Sequence, residues 1–285
     1  MDPRIVSLYN EYIHGDMPRR VFFSRVAELA GGTAAAVSLI GLLEPDFALG
    51  RAVDPNDPRL EAGYVTYPGT RGNVRAYIAK PADLSTKVPG ILVIHENRGL
   101  NDHIEDVARR AALAGRVALA PDGLTHVGGA PEDQERARNV FAAADRDVIT
   151  ADVIAGVPYL ASRADCTGRV GTVGFCYGGG VSLQCAARAP AVAASVCFYG
   201  GALSPEEVAA VRAPLMMHYA GADDRINAGI PEFRASLDEA GVPYTIHMYP
   251  GTGHGFHNDT SGARYDKDAA GLAWKRTMRF FEDFL

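Results

Sequence analysis

Three side chains along the sequence have the types that carry out nucleophilic catalysis, and each lies in a short turn. Cys176 lies in the stretch GFCYGGG, with a glycine two positions before it and another two positions after it. Asp223 follows the apolar run 215–218, and His254 lies between two glycines in GTGHGF. A thiol nucleophile, a histidine base and an acid that orients the histidine together suit acyl transfer. Nucleophile, acid and histidine also occur in the chain order of an α/β-hydrolase.

The glycines around Cys176 match a nucleophile elbow, which is a tight turn between a strand and a helix. Such a turn requires small residues near the nucleophile, and Gly174 and Gly178 meet this requirement. Gly179 and Gly180 are expected to let the following helix pack close to neighbouring backbone. The start of that helix favours negative charge and would stabilise a thiolate. The alternative is an inert cysteine in a glycine-rich turn; the acid turn and histidine loop downstream favour a reactive thiol.

Two of the three candidates have a neighbour of the same chemistry. Asp224 is the alternative acid, but Asp223 is nearer to the end of the preceding strand. His257 lies beyond the turn that carries His254. We expect His257 to be structural or to face the substrate.

The stretch HENRGL follows the first buried strand and is predicted to complete the site. Asn97 is expected to supply one backbone N–H of an oxyanion hole, with the N–H of Tyr177 as the other. Glu96 is unusual there, because a carboxylate opposes a developing oxyanion unless it has another partner. That partner is predicted to be either Arg98 or the thiol of Cys176.

The segments that must position these loops alternate between strand and helix patterns. Residues 61–67 and 73–79 alternate polar and apolar side chains, which predicts an antiparallel hairpin. From residue 90 onward, short apolar runs predict parallel strands buried on both faces. These strands are expected at 91–94, 117–120, 170–173, 193–198, 215–218 and 244–249, with helices at 101–114, 132–162, 178–188, 205–211, 230–240 and 264–285. The pattern predicts a mostly parallel, doubly wound α/β sheet, in which reactive loops gather at the carboxyl ends of the strands.

Charge and cysteine usage exclude several classes of function. The net charge is −6 and the sequence pI is about 5.8, so there is no basic excess to neutralise the phosphates of a nucleic acid. None of the cysteines forms a C-x-x-C pair or has metal-ligand spacing, which predicts reduced, mostly buried thiols and no metal site. The cysteines are Cys166, Cys176, Cys185 and Cys197.

Residues 1–60 are predicted to form a helical arm in front of an α/β domain at 61–285. The stretch MPRRVFFS at 17–24, the uncharged run 30–43 and the small residues at 48–50 resemble a twin-arginine export signal. The uncharged run is shorter than the roughly 20 residues that a membrane span needs. We therefore expect no membrane span.

The alternative for this segment is a helical hairpin. Asp16 would cap a first helix that ends at a Gly-Gly pair, and Thr33 would cap a second that stops at Pro45. Arg25 and Glu28 favour the hairpin, because they interrupt the apolar pattern at amphipathic spacing. The prediction is a cytoplasmic protein, with export to the periplasm as the alternative. The arm is expected to pack on the domain or to join a second subunit in a homo-oligomer.

Together, GFCYGGG, the Asp223 turn, GHGF and HENRGL resemble the dienelactone hydrolase (carboxymethylenebutenolidase) family over roughly residues 60 to 285. The sequence looks closest to a longer bacterial branch with an N-terminal helical arm. The resemblance implies a Cys-Asp-His triad of Cys176, Asp223 and His254. It implies hydrolysis of a small-molecule lactone or ester through a thioester, without a metal or organic cofactor. It also implies that Glu96 contacts the thiol until substrate displaces it.

The sequence departs from this family after the histidine. Dienelactone hydrolases proper have an arginine there that binds the substrate carboxylate, whereas this chain continues FHND. Arg98 or Arg264 would have to replace that arginine, and neither is in register with it. We therefore expect a broader lactone or carboxylic ester hydrolase, with Arg98 and His257 as candidate substrate contacts.

Two other classes of protein compete with this interpretation. Amidases of the glutamine-amidotransferase or PfpI type also carry a cysteine on a strand–helix turn, but they lack the late GHGF loop after an acid turn. A non-catalytic, ligand-binding relative of the α/β-hydrolases is typically missing one member of the triad. All three members are present here.

Overall fold

An eight-stranded sheet forms the centre of the molecule, whose computed structural model describes residues 1–15, 17–44 and 52–285. The strands are β1 (Leu60–Gly69), β2 (Gly72–Pro81), β3 (Val88–Ile94), β4 (Val117–Pro121), β5 (Cys166–Phe175), β6 (Val192–Phe198), β7 (Leu215–Ala220) and β8 (Tyr244–Tyr249). Their order across the sheet is β1-β2-β4-β3-β5-β6-β7-β8. β1 pairs antiparallel with β2 and β2 antiparallel with β4, whereas the remaining neighbours are parallel. The doubly wound α/β sheet with an antiparallel hairpin at its edge is confirmed.

Helices cover both faces of this sheet. In the domain they are α4 (Asp102–Leu113), α5 (Gln134–Ala143), α6 (Arg146–Ser162), α7 (Tyr177–Arg188), α8 (Pro205–Ala210), α9 (Asp224–Asn227), α10 (Ile230–Ala240) and α11 (Lys267–Phe284). α4 and α11 pack on one face and α6, α7, α8 and α10 on the other. Successive residues of β3 enter opposite clusters: Ile91 faces α4, and Leu92 faces α6. Burial on both faces explains why the central strands lack alternation in the sequence.

Two expectations about the domain were wrong. The helix predicted over 132–162 is two helices, because the side chain of Asp145 caps a new helix by accepting hydrogen bonds from the N–H groups of Asp147 and Val148. The strand predicted to be buried at 244–249 is β8, which lies at the edge of the sheet and is only partly buried. An apolar run does not reveal whether a strand is central or at an edge.

The arm consists of α1 (Pro3–His14), α2 (Arg19–Ala30) and α3 (Thr33–Leu43). The prediction that Thr33 caps the second helix of the hairpin was wrong: Gly32 occupies the cap position at φ 148°, so Thr33 is already helical. The predicted cap Asp16, the stop at Pro45 and the small residues at 48–50 lie outside the described residues.

The arm has its own apolar core, separate from the two clusters on the sheet. This core includes Tyr9, Phe22, Val26 and Leu43, all of them buried. No single described helix is long and apolar enough to cross a membrane; α2 and α3 reach that length only as a pair, which is bent by 111°. The arm thus buries part of its apolar surface within itself, whereas Val37 and Leu42 of α3 are exposed.

Candidate active site

The three candidate catalytic side chains lie at one edge of the sheet, each in the loop or turn after a parallel strand. Cys176 directly follows β5, Asp223 follows β7 and His254 follows β8. Because the carboxyl ends of parallel strands point the same way, these three loops meet. The apolar runs thus correctly predict that Cys176, Asp223 and His254 follow strands of the sheet.

The turn at Cys176 has the strained backbone of an elbow. Cys176 has φ 55° and ψ −115°, a conformation that a residue with a Cβ rarely adopts. A Cβ on Gly174 would lie 1.8 Å from Gly178 O, and one on Gly178 would lie 2.5 Å from Ile94 O. The two glycines are therefore required, as the elbow pattern predicts.

The two glycines that follow differ from each other. A Cβ on Gly179 would lie 2.7 Å from Phe198 O, so close packing against neighbouring backbone is confirmed at this position. A Cβ on Gly180 would have its nearest contact at 3.4 Å, with Gly201 O. The expectation of close packing at Gly180 was wrong, because α7 has already diverged from the neighbouring chain there.

His254 joins the acid to the thiol. Its Nδ1 lies 2.5 Å from Asp223 Oδ2, and its ring also hydrogen-bonds with the side chain of Cys176. Burial favours the neutral ring, but negative charge on Cys176 and the hydrogen bond to Asp223 outweigh it and raise the pKa of His254 to about 9. The arrangement therefore favours the protonated form of the His254 ring.

The acid in contact with the histidine is Asp223. Burial opposes its ionisation, yet the hydrogen bond from His254 holds the pKa of the Asp223 carboxyl below its usual value. Asp224 is exposed and begins the short helix α9. The geometry therefore favours Asp223 over the alternative.

Glu96 is buried close to the site and is held by a residue that the sequence analysis did not select. Asn258 Nδ2 donates a hydrogen bond to Glu96 Oε2 at 2.8 Å. Asn258 is itself held by Thr260, whose N–H and hydroxyl donate to Asn258 Oδ1 at 3.0 and 2.6 Å. Asn258 lies in the FHND stretch, and no local spacing in that stretch indicates this contact with Glu96.

The predicted pairing of Glu96 with Arg98 was wrong. Within the described parts of the chain Glu96 forms no ion pair, and Arg98 donates instead to the hydroxyl of Tyr9 and to Asn97 Oδ1, both at 3.3 Å. The Arg98 guanidinium therefore turns toward the arm. This contact between segments far apart in the chain could not be read from local spacing.

Asn97 and Tyr177, the predicted oxyanion-hole donors, lie on two segments that pack against each other. In residues 1–15, 17–44 and 52–285, neither N–H donates to a protein acceptor. The close approach of Gly178 to Ile94 O brings the start of α7 against the loop that carries Asn97. The side chains point elsewhere: Asn97 Nδ2 donates to Ile13 O at 3.0 Å, and the Tyr177 hydroxyl pairs with Thr150 at 2.8 Å.

Tyr199 is a second residue that the sequence analysis missed. It directly follows β6, has φ 40°, and its ring centroid lies 5.0 Å from that of His254. The side chain is fully buried, and its hydroxyl has no hydrogen-bond partner among the described residues. Burial raises the pKa of Tyr199 well above the usual value, so the hydroxyl keeps its proton. Its position after a parallel strand was the signal available in the sequence.

His257 lies in the core behind the site. Its ring packs against Phe175 and Phe198, with centroids 5.0 and 4.8 Å away, and burial lowers its pKa well below the usual value. Of the two roles expected for His257, the structure places it in the structural one. Of the described residues, no group of three or more His, Cys, Asp or Glu side chains has an arrangement that could hold a metal ion.

A cavity of about 640 Å³ opens beside the triad loops. One side is formed by Asp223, Gly253 and Arg264, and the other by α1, including Val6 and Asn10. The cavity is large enough for a small organic molecule. The arm is therefore one of its walls.

Three comparisons place the chain among known proteins. The sequence model of the Dienelactone hydrolase family matches residues 74–285. A "Putative carboxymethylenebutenolidase" of Methylorubrum extorquens is 35% identical over 249 residues, covering 82% of this chain and 84% of that protein. The "Putative hydrolase fragment YghX" of Escherichia coli is 51% identical over 107 residues, covering 37% of this chain and 92% of that fragment.

Solved structures agree with the sequence comparisons. The crystal structure of a "Putative Dienelactone Hydrolase" from Klebsiella pneumoniae superposes with a TM-score of 0.72 at 25% identity. The superposition covers 79% of this chain and 99% of that one. The residues left out of the family match are the arm and the first strand of the hairpin.

Proposed function

This chain belongs to the dienelactone hydrolase family, whose α/β-hydrolase fold and lactone or ester hydrolysis it shares, and we propose that Cys176 is its nucleophile. The observation that carries the proposal is the placement of the His254 ring between Asp223 Oδ2 and the Cys176 side chain. A cysteine buried only for packing would not need a hydrogen bond with an imidazole that a buried carboxylate holds from its other nitrogen.

Acylation begins with attack of the Cys176 thiolate on the carbonyl carbon of the ester or lactone. The carbonyl oxygen gains the negative charge, and the N–H groups of Asn97 and Tyr177 donate hydrogen bonds to it. The C–O bond to the leaving alcohol then breaks, and the His254 imidazolium gives its proton to the departing oxygen. The products are a thioester on Cys176 and a neutral His254; with a lactone, the alcohol stays attached to the acyl group.

Deacylation follows from the change in charge at the sulfur. A thioester sulfur carries no negative charge, so the strongest of the causes that raise the pKa of His254 is removed. The neutral imidazole can then take a proton from water as the water attacks the thioester. The carboxylic acid leaves, and His254 and Cys176 return to the ion pair. Asp223 keeps the imidazole in position through both steps.

Glu96 is proposed to interact with the thiol before substrate binds. Its carboxylate is buried on the loop that packs against the start of α7, and Asn258 donates a hydrogen bond to it. When substrate displaces the Glu96 carboxylate, negative charge leaves the position where the oxyanion develops. The reaction is therefore favoured only when substrate is bound.

Two buried guanidinium groups, of Arg98 and Arg264, lie on or beside the loops that carry Glu96 and His254. Arg98 and Arg264 are 6% and 8% exposed, and no described carboxylate forms an ion pair with either. A guanidinium buried without a carboxylate partner favours contact with an anionic or strongly polar group. We therefore propose that Arg98 contacts the substrate.

The proposal is tested with p-nitrophenyl acetate and a set of lactones. Cys176→Ala is expected to lower kcat about 1,000-fold or more, because no other group can form the thioester. Cys166→Ala, which removes another buried thiol at the start of β5, serves as the matched control. In the native enzyme, rapid quenching followed by mass spectrometry of the Cys176 peptide is expected to detect the acyl group. Equal rates for the native protein and Cys176→Ala would contradict the assignment of Cys176 as the nucleophile.

A further inference from the structure

Asn258, Asp259 and Thr260 form a short turn whose side chains contact two different parts of the molecule. Thr260 donates to Asn258 Oδ1 from its N–H and its hydroxyl, and Asn258 Nδ2 donates to Glu96 Oε2 at 2.8 Å. The side chain of Asp259, the middle residue, is bonded to α4 instead. The turn is therefore attached to α4 at its middle residue, while its first residue reaches Glu96.

Two side chains of α4 donate to the carboxylate of Asp259. His103 Nδ1 lies 2.9 Å from Asp259 Oδ1 and carries the proton of this bond, because a carboxylate can only accept. Arg110 pairs with Asp259 Oδ2 and also donates from Nε to Asp106 Oδ2 at 2.6 Å. Burial opposes ionisation of Asp259, but the hydrogen bond from His103 and the charge of Arg110 hold its pKa well below the usual value. Asp259 is therefore a charged anchor between the turn and the helix.

Glu96 is attached to the same helix through the chain. Its loop leads directly into α4, where the cap residue Asn101 accepts a hydrogen bond from the N–H of Ile104 at 3.2 Å. Ile104 and Val107 are fully buried against the sheet, so the helix is firmly seated. α4 thus supports both ends of the bond between Glu96 and Asn258.

We propose that Asp259 is a positioning residue for Glu96. The anchor fixes Asn258 relative to α4, and the start of the same helix fixes the loop of Glu96, so donor and acceptor are held at hydrogen-bonding distance. Without the anchor the turn shifts, and Asn258 no longer compensates the buried carboxylate of Glu96. Glu96 then leaves the position in which it is proposed to meet the Cys176 thiol. This last step rests on the proposed function.

A double-mutant cycle of Asp259→Asn and Glu96→Gln tests the inference without any hydrolysis. Asp259→Asn keeps the size of the side chain and removes its charge. In the native background it is expected to lower the urea midpoint at pH 7, because it weakens the anchor and the bond between Glu96 and Asn258 together. In the Glu96→Gln background the shift in midpoint should be smaller by about a quarter or more, since a neutral amide costs less to leave unpaired.

The sign of this coupling separates the anchor from simple repulsion between the two carboxylates. If Asp259 and Glu96 only repelled each other, Asp259→Asn would relieve that repulsion in the native background alone. The midpoint would then fall further in the Glu96→Gln background than in the native one. Equal shifts in the two backgrounds, or a larger shift with Glu96→Gln, would overturn the inference.

Asp152→Asn is the matched control. Asp152 is 2% exposed, and its carboxylate also accepts two hydrogen bonds, from the N–H and the hydroxyl of Thr70, both at 2.7 Å. It lies on α6, and Thr70 lies in the turn between β1 and β2. Its shift in midpoint should be the same in both backgrounds. Coupling to Glu96→Gln as large as that of Asp259→Asn would indicate general loosening and overturn the inference.

His103→Phe provides the same cycle if Asp259→Asn fails to fold. It keeps a ring in the buried position and removes one donor to Asp259, whereas the pair with Arg110 remains. A smaller shift in midpoint is expected, with the same sign of coupling to Glu96→Gln. Additive shifts for His103→Phe and Glu96→Gln would contradict the anchor.

Steady-state kinetics gives a readout that a loss of stability alone would not move. Asp259→Asn is expected to lower kcat/KM for p-nitrophenyl acetate about tenfold in the native background and less than about twofold in Glu96→Gln, because its effect passes through Glu96. Asp152→Asn should leave kcat/KM within about twofold. Equal losses for Asp259→Asn in the two backgrounds would overturn the inference. Coupled midpoints in a protein without ester turnover would contradict the proposed function alone.

Discussion

Asn258 donates a hydrogen bond to Glu96 (Nδ2 to Oε2, 2.8 Å), and this bond joins the histidine loop to the loop after β3. Glu96 is 7% exposed and has no ion pair among the described residues, so this amide compensates part of the cost of burying its carboxylate. The hydrogen bonds from Thr260 fix the direction of the amide, because they occupy Asn258 Oδ1 and leave Nδ2 toward Glu96. The position of Glu96 at the site is thus set by a residue on another loop.

Asn258→Leu is expected to lower the free energy of unfolding by about 1–3 kcal/mol, because it removes a hydrogen-bond donor from a buried carboxylate. Urea denaturation at pH 7 measures this change. Glu96→Gln is the partner in a double-mutant cycle. In the Glu96→Gln background, Asn258→Leu should lower the free energy of unfolding by less. A neutral side-chain amide costs less to bury without a hydrogen-bond donor than a carboxylate does. Additive effects of the two substitutions would contradict a direct role for the bond.

The sequence alone predicted those parts of the fold that depend on local patterns. Apolar runs located the parallel strands, and the glycine spacing around Cys176 predicted the tight turn that the backbone adopts there. The contacts of Glu96 and Tyr9 could not be predicted in this way. Each joins segments that are distant in the chain, and no periodicity or spacing reports which side chain a buried polar group will meet.

Asp223→Asn is expected to lower kcat for p-nitrophenyl acetate about 100- to 10,000-fold, because the amide cannot stabilise the His254 imidazolium as a carboxylate does. Steady-state kinetics measures this loss. Asp224→Asn is the matched control, since it removes the neighbouring exposed carboxylate and should change kcat less than about twofold. A larger loss in Asp224→Asn than in Asp223→Asn would reverse the assignment of the acid.

Gly179 and Gly180 provide a test of the elbow that uses one substitution at two adjacent positions. A Cβ at Gly179 would lie 2.7 Å from Phe198 O and 2.9 Å from Gly200 Cα, and backbone atoms cannot move away cheaply. Gly179→Ala is therefore expected to lower the free energy of unfolding by about 1–3 kcal/mol. It should also lower kcat, because α7 must shift and carry the Tyr177 N–H with it.

Gly180→Ala is expected to have the opposite effect on stability. Its Cβ would meet the nearest atom at an ordinary 3.4 Å, from Gly201 O, and the position lies within α7 at a negative φ. Alanine should therefore stabilise the protein by up to about 1 kcal/mol through its higher helix propensity, with kcat unchanged. Urea denaturation and steady-state kinetics on both variants measure the contrast. Equal destabilisation by the two substitutions would mean that α7 is packed against β6 along its whole first turn and not only at Gly179.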